Sequence, residues 1–222
     1  MHRVGIGIAV ALLAGTAAAG ELRGTLALYA GGQPLRAAEA AEAVIYFRPT
    51  KSVALRVPAE PAVMLTRRKQ FEPRVLPVVA GSTVRFPNDD PILHNVFSTS
   101  PDNAFDAGLY GTGPGVVHAF RSPGLVKVYC NVHHSMFGFV LVLDTPFFTR
   151  TDVVGAFRLA DLPPGAGDLV VFHERAQPWR QRLDPATAGP LEIRLDLNKR
   201  RVPAHMNKFG RPYGARPDDR PY

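Results

Sequence analysis

The chain has 222 residues, 46% of them hydrophobic, a balance that fits neither a disordered chain nor a polytopic membrane protein. Its single cysteine excludes an internal disulfide framework, a multi-cysteine zinc site, an iron–sulfur cluster held by one chain, and a binuclear copper centre built on two cysteines. The net charge of +7 is uneven: residues 198–222 hold seven basic and two acidic side chains, and with Arg3 set aside the rest of the chain carries about +1.

Met1-His2-Arg3, the apolar run from Val4 to Ala19, and the small residues before Glu21 form the pattern of a secretory signal peptide. The run is short against the roughly 20 apolar residues of a spanning helix. No cysteine follows it for lipid attachment, so the mature protein is expected to be soluble and exported. Short strand-like runs then recur at Arg23–Tyr29, Ala43–Arg48, Val63–Thr66, Arg74–Val79, Thr83–Phe86 and His94–Ser98. They continue at Val116–Phe120, Leu125–Cys130, Phe139–Leu143, Gly155–Leu159, Asp168–His173 and Leu191–Leu197. Turn signals separate them, among them Gly31-Gly32, Asn88-Asp89-Asp90-Pro91, Pro123-Gly124 and Pro163-Pro164-Gly165. With 20 Gly and 21 Pro, this punctuation predicts an all-β chain of sandwich or barrel type. The Ala-rich stretch Arg36–Glu42 is the one helical candidate, and Pro146 marks a module boundary. Beyond Leu197 the chain has Pro and Arg without periodicity, and a disordered basic tail is expected there.

The stretch Tyr129-Cys130-Asn131-Val132-His133-His134-Ser135-Met136 carries the chemistry. Cys130 ends a strand, His133 and Met136 fall in a short loop, and the next strand follows at once. His94, followed by Asn95, lies upstream on a separate strand. Thiolate and thioether are soft donors and imidazole is borderline, and copper accepts both kinds in either oxidation state. One Cys and two His make a trigonal plane, and a Met closes one face of it. His94, Cys130, His133 and Met136 are candidate donors for such a site. Coordination as thiolate would also protect a lone thiol in an oxidising compartment.

His94-Asn95-Val96 and Cys130-Asn131-Val132-His133 through Met136 resemble the ligand pattern of the cupredoxin family, in its short-loop form. The lead-in from Phe71 to Asn88 resembles that family's opening strands. The resemblance spans about Ala62 to Thr145. It implies a Greek-key β-sandwich and one type 1 (blue) copper ion. It also selects His133 over the adjacent His134, which is left facing solvent, and gives Asn95 a supporting role beside the ligand loop. Phe97, Phe137 and Phe139 are candidates either for an apolar collar around the metal or for ordinary core. The chain as a whole resembles bacterial methylamine utilisation-type proteins.

Thr151 to Leu159, Leu162-Pro163-Pro164-Gly165 and Asp168 to Glu174 resemble the later half of a carboxypeptidase-regulatory-like (transthyretin-like) β-sandwich. Gly24-Thr25-Leu26, Gly32 to Leu35 and Ala43 to Phe47 resemble its opening strands, as though the copper module interrupted it. The expected organisation is a leader over 1–19, N-terminal strands over 21–61, a cupredoxin module over 62–145, a second β module over 146–197 and a basic tail over 198–222.

His173 and Glu174 are adjacent, point to opposite faces of a strand, and make a poor catalytic pair. His118 and His205 are isolated in sequence, and no hydrolase, zincin or phosphate-loop motif is present. The expectation is an exported, non-enzymatic electron carrier of the cell envelope. Its partners would be redox proteins with an acidic face, with anionic lipid surfaces open to the basic tail. Neither nucleic acid nor a small-molecule substrate is expected. Two alternatives stand beside it. One is a copper-handling protein that uses His134 and His205-Met206, and the other is a metal-free scaffold module.

Overall fold

A computed structural model describes residues 20–198 and 206–212. The leader expected over 1–19 and most of the tail expected over 198–222 lie outside the described residues. Among the described residues no helix is long and apolar enough to cross a membrane.

The chain opens with β1 (Gly20–Ala30), β2 (Gln33–Pro34) and β3 (Val44–Pro49). It continues through β4 (Ala62–Val63), β5 (Leu65–Arg67), β6 (Gln70–Glu72), β7 (Val75–Val79) and β8 (Thr83–Asn88). Next come β9 (His94–Ser98), β10 (Phe105–Tyr110), β11 (Gly113–Ala119), β12 (Gly124–Tyr129) and β13 (Phe137–Leu143). It closes with β14 (Phe148–Arg150), β15 (Ala156–Leu162), β16 (Gly167–Phe172), β17 (Trp179–Leu183) and β18 (Leu191–Asp196).

Four sheets result. The first runs β15-β1-β18 with β2 on β1, and the second runs β14-β3-β16-β17. The third runs β10-β9-β12-β13-β7, and the fourth runs β11-β8-β5-β6 with β4 on β8. The strands before residue 50 therefore pair with strands after residue 147, and β4 to β13 pair among themselves.

Period-2 alternation explains how these sheets stack. In β3, Ile45 and Phe47 join Leu26, Leu28 and Phe157 in a core between the first and second sheets. Their neighbours Val44 and Tyr46 turn the other way and meet Phe137, Phe139, Leu141 and Leu143 of β13. The same division holds in β16, where Leu169 and Val171 face the first core and Val170 and Phe172 face β13. The intervening residues of β13, Val140 and Val142, complete a third core with Phe86, Val96, Phe120 and Val128. β13 is thus buried along its whole length, with each face against a different core. Phe97, Phe137 and Phe139, weighed above as a collar or as core, all belong to the layer between the second and third sheets.

Where the elements depart from expectation, the cause is visible. Val63–Thr66 is broken in two, with Met64 completely buried between β4 and β5. Arg36–Glu42 becomes a 3-10 helix over Ala37–Glu42, too short to form a stable α-helix. β10 and β17 lie at sheet edges with mostly exposed or half-buried side chains, so they show no clear alternation to read.

The apolar layer between the second and third sheets couples the two sandwiches. Phe172→Ala should destabilise the protein by about 3–5 kcal/mol. In chemical denaturation the wild type should show one transition, whether followed by fluorescence of Trp179 in β17 or by exposure of the Cys130 thiol. The two signals should separate in the variant.

Candidate metal centre

The sandwich of the third and fourth sheets, the middle one along the chain, brings three donors together. His94 opens β9, and Cys130 is the first residue beyond β12. His133 lies in the loop that leads to β13. That loop is closed by its own backbone: Cys130 N donates to Met136 O at 3.1 Å, and Met136 N to His133 O at 3.0 Å. β9 and β12 are neighbours through Phe97 and Tyr129, which puts the end of one beside the start of the other.

The Cys130 Sγ lies 3.7 Å from His94 Nδ1 and 3.8 Å from His133 Nδ1, and the two Nδ1 atoms are 3.2 Å apart. A circle through the three atoms has a radius of about 2.1 Å, against bonds of about 2.0–2.1 Å to imidazole and 2.3 Å to thiolate for a first-row ion. The three donors would therefore hold one ion between them. The donor set, two borderline nitrogens and one soft sulfur, suits copper or zinc and does not suit magnesium or calcium. His94, Cys130 and His133 form the one such group among the described residues. Met136 is fully buried in the same apolar cluster as Cys130. His134 is outside the donor group.

A carboxylate that the sequence reading did not single out stands behind His94. Asp90 Oδ2 lies 2.9 Å from His94 Nε2, and both side chains are buried. Asp90 also accepts the backbone N–H of Arg68 at 2.6 Å and of Lys69 at 2.9 Å. Those two residues form the turn between β5 and β6, with φ of 53° and 56°. A two-residue hairpin turn favours this left-handed backbone, which side-chain-bearing residues adopt at a cost. Asp90 offsets that cost by accepting both N–H groups. The ionised carboxylate accepts the hydrogen bond of His94 Nε2–H, a pairing that leaves the Nδ1 lone pair facing the other two donors.

The electrostatics agree with this arrangement. Asp90 lies below the usual carboxylate range: burial works against ionisation, and the bonds from Lys69, Arg68 and His94 outweigh it. Burial holds the His94 imidazole below its ordinary value, against the pull of Asp90. Burial pushes the Cys130 thiol up, partly countered by the backbone N–H groups of Asn95, His133 and Val132. His94 and Cys130 are therefore neutral at neutral pH, and a cation that binds Cys130 displaces the thiol proton. Tyr110, opposite His94 in the ladder, is pushed up to about 12 by burial and stays neutral as well.

Asn95 supports the sulfur side. Its Nδ2 donates to Asp106 Oδ1 at 2.7 Å and to Gly108 O at 2.8 Å, and its Oδ1 accepts Asn131 N at 3.3 Å. The ladder between β9 and β10 shifts register between Asp106 and Leu109. Gly108 sits in that shift with φ of 71°, a conformation suited to glycine. His118 is outside the group and stacks on Phe105 with ring centroids 4.1 Å apart.

No protein-family model and no curated protein matches the chain. Among solved structures, a purple cupredoxin from Nitrosopumilus maritimus is 26% identical, covering 37% of this chain and 99% of that one, with a TM-score of 0.34. A reduced mutant of amicyanin is 22% identical, covering 46% of this chain and 99% of that one, with a TM-score of 0.36. An oxidised amicyanin mutant is 21% identical over the same shares, also with a TM-score of 0.36.

Two measurements test this account. Asp90→Asn should keep the fold but weaken binding of Cu(II) or Zn(II) by about tenfold to a hundredfold, as read by competition with a chelator. His118 gives a pH test away from the donors. Burial, then the Arg121 charge, lowers its pKa from 6.5, so the unfolded chain takes up its proton first. Its contribution to stability is complete above pH 6.5 and falls away as the pH drops from there toward the folded value. In the metal-free protein, thermal stability should fall less steeply below pH 6.5 in His118→Gln than in the wild type.

Proposed function

We propose that this protein is an exported type 1 copper protein that passes single electrons between redox partners in the cell envelope. The observation that carries the reading is the buried His94–Cys130–His133 triangle, whose edges leave room for one ion and no more. Met136, which closes the ligand loop and is completely buried in the same cluster as Cys130, would be the fourth residue to hold the ion. A bound copper ion would supply a one-electron couple.

The chain's own residues do the rest. Cys130 gives up its proton on binding, and the three backbone N–H groups around it favour the thiolate. Asp90 keeps His94 in one tautomer and one orientation. The loop hangs between two adjacent strands of one sheet, so a change of charge at the site meets a fixed frame. His133 alone of the three donors has exposed surface, 6% against 0% for the others, and electrons would leave through it. Leu93 and Leu109 stand exposed beside His94 and opposite Asn95, and provide apolar contact for a docked protein. With all four donors contributed by the protein, no position is left for a substrate, so the reading is that of a carrier and not an enzyme. Redox partners with an acidic face fit the basic segment 198–222, and export fits the leader.

Titration of the metal-free protein with Cu(II) tests the reading. The wild type should develop an intense visible thiolate-to-copper band and narrow copper hyperfine splitting in EPR, with one equivalent bound. Cys130→Ser should lose both features. A pale spectrum that the substitution leaves unchanged would overturn the assignment.

A further inference from the structure

The segment 206–212 falls within the stretch expected to be a tail, yet it has a defined place against the metal end. Residues 207 to 211 form a self-closed turn. Asn207 Oδ1 accepts Phe209 N at 2.9 Å and Arg211 N at 3.0 Å, and Asn207 N donates to Arg211 O at 2.9 Å. Gly210, with φ of 70°, returns its N–H to Asn207 O at 2.9 Å.

Lys208 projects from this turn and makes two contacts with the sandwich. Its Nζ lies 2.6 Å from Asp106 Oδ2, and its backbone N donates to Asn131 Oδ1 at 3.2 Å. Both partners already serve the site. Asp106 holds the Asn95 amide through its other oxygen, and Asn131 follows Cys130 directly and donates to Asn95 Oδ1. A continuous set of hydrogen bonds therefore runs from Lys208 through Asp106 and Asn131 to Asn95, whose backbone N–H faces the Cys130 sulfur.

We propose that segment 206–212 is a strap and Lys208 a positioning residue. Docked on Asp106 and Asn131, Lys208 fixes the Asn95 amide and, through it, the backbone on both sides of Cys130. It acts in two ways. Mechanically, it holds Asn131 against β9 while Asn95 holds it from the other side. Electrostatically, it neutralises Asp106, a carboxylate that its bonds keep ionised beside the Asn95 amide. The Lys208 and Asp106 side chains are 25% and 41% exposed, so the ion pair is screened by salt and of moderate strength.

The mechanical part is read without metal. In metal-free protein at low ionic strength, Lys208→Met should raise the rate at which an aromatic disulfide reagent modifies Cys130 by about threefold, the weight of a partly exposed ion pair. Lys208→Arg should restore the wild-type rate. High salt should move the wild type toward the variant's rate and leave the variant unchanged, a comparison that needs no substitution to fold. Equal rates in wild type and Lys208→Met at low salt would overturn the strap.

The electrostatic part rests on the copper reading proposed above. In copper-loaded protein, Lys208→Met should lower the midpoint potential, because an unneutralised Asp106 favours the more positive oxidised state. Lys208→Met combined with Asp106→Asn should bring it back. A potential that Lys208→Met leaves in place would overturn this second role. Failure to bind copper is seen separately, in the titration, and leaves the thiol-rate test intact.

Discussion

A strand buried on both faces is the constraint from which the rest of the architecture follows. β13 has no solvent side, so its alternate residues must each find an apolar core. Val140 and Val142 complete the core of the middle sandwich, while Phe137, Phe139, Leu141 and Leu143 need cover from outside it. β3 and β16 provide that cover with Val44, Tyr46, Val170 and Phe172. Burying each large apolar side chain contributes about 1.5–3 kcal/mol as an upper estimate. Sliding or separating the sandwiches would expose several at once. Thr145 strengthens it by donating to Phe47 O at 2.6 Å, and Arg48 pairs with Asp144 beside it. The metal loop ends where β13 begins, so the second sandwich acts as a floor for the site although it contributes no donor.

Two polar hubs then shape the donors from opposite sides. Asp90 lies behind His94 and accepts three groups, two of them from a hairpin turn. Asn95 lies behind Cys130, and its amide makes three bonds, with both of its heteroatoms engaged. Leaving a buried polar group unpaired costs about 1–3 kcal/mol, so each hub resists any rotation that would break its set. The imidazole of His94 and the sulfur of Cys130 are thereby aimed at a common point by groups outside the donor plane.

The donor loop was legible in the sequence because its signal is local. Cys130, His133 and Met136 fall within seven residues between two apolar strands, and that spacing restricts where each can point. His94 was legible because it opens a strand beside an Asn. Asp90 was not, since Asn88-Asp89-Asp90-Pro91 has the composition of a turn and nothing local aims one carboxylate inward. The turn at Arg68-Lys69 has no Gly or Asn to announce it, and its stability comes from Asp90, more than twenty residues away. β10 was missed because an edge strand with a register shift has little periodicity. Lys208 contacts Asn131 across 77 positions of sequence, which composition cannot show. The alternation of β3, β13 and β16 was read as strand, but runs apolar on both faces do not say which core each face meets.

The two acids near the site differ in a way that bears on charge. Asp90 is satisfied by the N–H groups of Arg68 and Lys69 and by His94 itself. Asp106 has Lys208. An unpaired Asp106 would add a negative charge to the bond network behind Cys130, weakened by water and salt at its partly exposed position. The chain thus separates two tasks that a single carboxylate could not perform together: orienting a ligand from within, and carrying a bond network at the surface without imposing its charge on the site.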